Sequence, residues 1–114
     1  MTDEAQPGED EKASYQHRRW FEHFKEIDAE IGRLCMTCGV RILEPGVIER
    51  VLQNDSLVCS KPNPRAFEKL RSLLMMHYSV RDRAVVAMGE KETMGLINVL
   101  VERLRTRFGD QLGQ

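Results

Sequence analysis

The residues best suited to chemistry stand together at Cys35-Met36-Thr37-Cys38-Gly39. A CxxCG turn is half of a zinc knuckle, because two thiolates converge on one ion and glycine permits the tight turn. A complete site needs two more ligands. Cys59 and His77 are available, and the spacing is then C-x2-C-x20-C-x17-H, with no second knuckle. Redox use of the same pair meets a physical objection. Redox CxxC pairs sit at helix N-termini, where the dipole lowers the thiol pKa. This pair falls at the C-terminal end of a helical repeat. Free cysteine is also among the most buried residue types and packs as a small apolar group. Core cysteines are therefore expected, and a metal or thiol protein using Cys35, Cys38 and Cys59 is an alternative.

Other chemical candidates are thinner. His77 falls among apolar residues and reads as a satisfied core histidine, while His17 and His23 read as solvated. None of the three has a Glu three residues before it, as a di-iron four-helix bundle requires. Glu22, Glu26 and Glu30 share helical spacing without a facing carboxylate set, so they read as a solvated face supported by Arg18 and Lys25. The eight glycines hold no phosphate loop, dinucleotide fingerprint or nucleophile elbow. Arg103, Arg105 and Arg107, with Arg81 and Arg83 nearby in sequence, suit phosphate. No aromatic residue interleaves to stack on bases, and a dipole-matched helix end explains the three. No catalytic residue, cofactor or metal is assigned, and the chain is not expected to be an enzyme.

These side chains must be positioned by helices. Phe24, Ile27, Ile31, Leu34 and Cys38 are spaced 3, 4, 3, 4, which predicts a long helix over about 14–38 closed by Gly39. Gly32 inside it suggests close approach of another helix. A short helix follows, with Pro45 in its first turn and Asn54 at its end. Leu57-Val58-Cys59 reads as an extended link. Asn63 caps a third helix, with Pro64 in its first turn. Ser79 with Asp82 resembles a capping box that opens a fourth through Met88. A second long helix over about 90–108 carries Met94, Ile97, Val101, Leu104 and Phe108 at 3, 4, 3, 4. The expected fold is all-α, a compact bundle of about five helices built on two long amphipathic ones.

With 114 residues, 41% of them apolar and 31% charged, the composition suits one soluble domain over residues 13–114. Residues 1–12 carry five acids against Lys12 and read as an acidic disordered tail. No apolar run is long enough to span a membrane, and the acidic start lacks a signal-peptide lead-in. A cytoplasmic location is expected, where three cysteines stay free. Outside the tail the net charge is mildly positive, short of the Lys/Arg stripe of a dedicated nucleic-acid binder. The function expected is a non-enzymatic helical interaction module: a regulator, adaptor or accessory subunit that binds another protein or a second copy of itself. Trp20, Phe21 and Phe24 form the candidate interface, since large aromatics commonly anchor contacts. A nucleic-acid-associated regulator is the other alternative. The long Pro-rich link between the second and third helices argues against a helix-turn-helix.

Overall fold

The computed structural model describes the backbone of residues 7–113 and the side chains of residues 15–113 except Asp110. Four α-helices make up the described chain: α1 (Pro7–Cys38), α2 (Val47–Leu52), α3 (Pro64–Met88) and α4 (Glu90–Phe108). Short 3-10 turns lie at Ser56–Val58 and Gly109–Leu112, and no strand occurs among the described residues. None of their helices is long and apolar enough to cross a membrane.

α1 begins at Pro7, ahead of the expected start near Ser14. Proline suits a first turn, since its ring presets φ for the helix and its missing N–H costs no bond there. Of the expected tail, residues 1–6 lie outside the described residues. At its other end α1 closes with Gly39 at φ 66°. The Val40 N–H donates to the Cys35 carbonyl at 2.9 Å, and the buried Val40 side chain completes this Schellman-type end.

The third and fourth helices expected from the sequence are one. α3 runs unbroken through Ser79, because the stripe Leu70, Leu74, His77, Arg81 and Ala84 continues at helical spacing on its inner face. Ser79 is exposed on the outer face and caps nothing. Asn63 does cap α3, its Oδ1 accepting from the Ala66 N–H at 3.1 Å. The link expected to be extended at Leu57–Cys59 is largely a 3-10 turn, started by Asp55, whose carboxylate accepts from the Leu57 N–H.

α1, α3 and α4 pack on one another, and α2 packs on α3. α1 and α3 are antiparallel: the Lys61 N–H donates to the Cys38 carbonyl at 2.9 Å, while Asp28 meets His77 farther along. α4 turns back at Gly89 (φ 94°) and runs parallel to α1. Gly32 marks the closest approach, since a Cβ there would stand 3.0 Å from the Phe108 ring. The buried face of α4 is rotated from the expected one. Thr93, Leu96, Ile97 and Leu100 are inside, Val101 and Leu104 are partly covered, and Met94 is exposed. Thr93 is tolerated because its hydroxyl donates to the Gly89 carbonyl at 2.8 Å.

The segment between α1 and α2 covers one end of the bundle with Ile42 and Leu43. It is fastened by the second 3-10 turn: the Leu43 N–H donates to the Leu112 carbonyl at 2.7 Å, and Leu112 is wholly buried.

Candidate functional site

The cysteines gather where α1 ends and α3 begins. Cys35 and Cys38 are buried and Cys59 is partly so, all as free thiols. Burial pushes Cys35 up to about 12 and Cys38 up to about 11, with neighbouring thiols adding to both, and burial also raises Cys59. These groups stay protonated at neutral pH and are poor nucleophiles. His77 does not join them: it lies fourteen residues beyond Asn63, roughly 20 Å along α3. Among the described residues no three His, Cys, Asp or Glu side chains form a group that could hold a metal ion.

The aromatic cluster divides. Phe24 is fully buried in the chain's own core, so it is removed from the candidate interface. Trp20 and Phe21 remain partly covered and pack against that core; Trp20 is thus less buried than its place beside the seam suggests. The arginines of α4 are engaged separately. Arg103 lies over the Phe21 ring at 5.1 Å, Arg107 over Phe108 at 5.3 Å, and Arg105 pairs with Glu102. On the outer face of α1, Glu22 pairs with Lys25 at 3.7 Å and Glu30 with Arg33.

The arrangement with chemical consequence lies deeper, between α1, α3 and α4. A cavity of about 250 Å³ is walled by Ile31, Leu74, Ile97, Val101 and Leu104, among others, and Ile42, Leu43 and Ile48 also line it. Into this apolar space α1 contributes Asp28, and α3 contributes His77, Tyr78 and Arg81. The Asp28 side chain is 9% exposed, and its one partner among the described residues is His77 Nε2, 3.4 Å from Oδ1. His77 is fixed from the sides: its ring lies 5.2 Å from that of Phe24 and edge-on to Tyr78 at 6.1 Å. Arg81 stacks over Tyr78 at 4.9 Å and pairs with Asp82 at 3.3 Å rather than with Asp28.

Burial drives the acid and the imidazole of this pair toward their neutral forms. Desolvation raises Asp28 from 3.8 to about 7. Desolvation lowers His77, and the charge of Arg81 lowers it further. The cavity therefore changes charge near neutrality, which is where perturbed groups mark functional sites.

Sequence reasoning placed His77 in the core and passed over Asp28. The signal was present. Asp28 lies four residues after Phe24 and three before Ile31, inside the buried stripe of α1, and an unpaired acid on such a stripe is itself anomalous. No family model, no curated protein and no solved structure matches this chain.

Proposed function

We propose that this chain is a small non-enzymatic helical interaction module, a regulator, adaptor or accessory subunit, which works by admitting an apolar group of its partner into the cavity over Asp28. The partner is another protein or a second copy of the chain. Asp28 carries the reading. A carboxyl raised from 3.8 to about 7 weakens the ionised fold by on the order of 4 kcal/mol. An apolar residue in its place would strengthen the bundle, and polar groups held at such a cost are typical of sites rather than of scaffolds. The lining residues include no Ser, Thr, Cys or Lys for the acid–imidazole pair to activate, which supports binding over covalent catalysis. The α4 arginines, occupied by rings and Glu102, lend little to the nucleic-acid alternative.

Benzene is a suitable first probe, since an apolar cavity of about 150 Å³ already takes it. Saturable shifts of the Ile31, Ile97, Val101 and Leu104 methyl resonances are expected, weakened by Met94→Trp at the half-exposed edge of the cavity. Unmoved methyls in an intact fold would remove the reading. For a second copy as partner, the contact is assigned to Trp20 and Phe21. Phe21→Glu is then expected to lower the light-scattering mass to that of a monomer while helical circular dichroism is kept.

A further inference from the structure

We infer that the group received by this cavity is a primary ammonium on an apolar stem, its head seated against the Asp28 carboxylate. The inference rests on the cavity being a binding site and adds the chemistry of what enters it. It begins from charge. Asp28 is nine-tenths buried and among the described residues meets only His77 Nε2, at 3.4 Å, beyond a good hydrogen bond. Among the described residues the neighbouring cations each have another partner, and Tyr78 beside them is neutral and edge-on to His77. On α1, Lys25 pairs with Glu22 at 3.7 Å. On α3, Arg81 lies over the Tyr78 ring. On α4, Arg103 and Arg107, which line the adjoining recess beside Asp28, lie over Phe21 and Phe108. The carboxylate is left without a cation, and an incoming one supplies it.

Donor count selects among cations. An ammonium is a compact head whose N–H donors the two Asp28 carboxylate oxygens can accept, with the remaining donor turned to the open side of the cavity. A guanidinium brings five in a rigid fork and would leave donors unsatisfied in an apolar space. An anion would face Asp28 directly, and Arg81, the one arginine lining the cavity among the described residues, is already engaged by Tyr78 and Asp82. Volume sets the stem. Scaled from benzene in about 150 Å³, the 250 Å³ here accommodates about ten non-hydrogen atoms. A small arylalkylamine and a lysine side chain share this chemistry.

Four probes test the inference by NMR titration near pH 8: 2-phenylethylamine, its neutral isostere propylbenzene, 3-phenylpropanoate, and Nα-acetyl-lysinamide. The amine is expected to bind at least about tenfold more tightly than propylbenzene. The preference should shrink near pH 6, where Asp28 is protonated, and vanish in Asp28→Asn, which still takes propylbenzene. Binding of acetyl-lysinamide as well assigns the group to a protein side chain; its exclusion keeps the ammonium class but assigns the group to a free amine, which overturns the protein-partner part of the proposed function. Equal binding of propylbenzene, preference for the carboxylate, or an amine preference that survives Asp28→Asn overturns the inference and leaves the cavity as a site. Failure of every probe, benzene included, overturns the proposed function as well.

Discussion

At the Cys38 end of α1, three thiols sit in or beside the core as thiols; about 15 Å back along the same helix, Asp28 sits in the core as an acid. Burial pushes both regions the same way: Cys35, with its neighbouring thiols adding to the effect, rises from 9.0 to about 12, and Asp28, by desolvation alone, from 3.8 to about 7. The outcomes differ because the starting points differ. A thiol is neutral at pH 7 before and after the shift, so burying it changes nothing electrostatic under ordinary conditions. A carboxyl begins ionised and is carried to the edge of neutrality, so each later change of pH or of neighbouring charge is felt by the fold. The CxxC spacing drew attention to the thiols, yet the group whose charge changes near neutrality is the buried acid.

The largest expected effect is that of Asp28→Asn. The native form of Asp28 holds its proton between about pH 4 and 7, where the unfolded form has lost it, so stability falls as pH rises through that window and levels off above it. His77 acts oppositely. Its lowered pKa makes the native state bind fewer protons, so stability is lost as pH falls below its unfolded value near 6.5. Asp28→Asn should raise stability near pH 8 by about 2–4 kcal/mol and abolish the decline between pH 5 and 7, as read by urea denaturation. A variant no more stable than wild type at pH 8 would erase the contrast between the two regions.

Gly39→Ala tests how firmly the thiol end is built. Gly39 holds φ 66°, and a Cβ would come 2.0 Å from Ser60 Oγ and 3.0 Å from the Lys61 nitrogen. A loss of about 2 kcal/mol is expected, independent of pH. Cys38→Ala sharpens the same point at a smaller scale: about 1 kcal/mol lost through reduced burial, equal at pH 6 and pH 8, with the wild-type melt indifferent to a chelator. A chelator-sensitive melt would turn the thiol end into a metal site. The slightest effect is one of rate. Iodoacetamide should modify Cys59 ahead of Cys35 and Cys38, with reaction slow below pH 9, since Cys35 and Cys38 are 1% and 0% exposed and both are pushed well up. Rapid labelling of Cys35 at neutral pH would contradict its burial.

The helical class, the Gly39 closure, the Asn63 cap and the close approach at Gly32 were legible because each rests on local spacing or on one residue's conformational freedom. The unity of α3 was not. Ser79 with Asp82 satisfies a local capping rule, while the stripe from Leu70 to Ala84 answers to the packing of α1 and α4, and tertiary burial prevailed. The same override rotated α4 so that Thr93 and Leu96 are inside and Met94 is out. Of the site, Asp28 and His77 were readable as polar residues on apolar stripes, although only His77 was singled out. Their pairing and the cavity were not readable. Both depend on three helices and the 40–48 segment closing over one volume, which no local spacing encodes.

The fastening of Leu43 by Leu112 has a consequence for biosynthesis. The stretch that covers the cavity is translated about seventy residues before the turn that fastens it. At 5–20 residues per second, the interval is on the order of 4–14 s. Throughout it Ile42 and Leu43 lie without their latch, and until residues 90–108 are made α4 is not there to wall off Asp28. The acid is thus hydrated on the nascent chain, ionised at no penalty, and becomes an electrostatic burden only when α4 and the Leu112 turn withdraw it from most of its water.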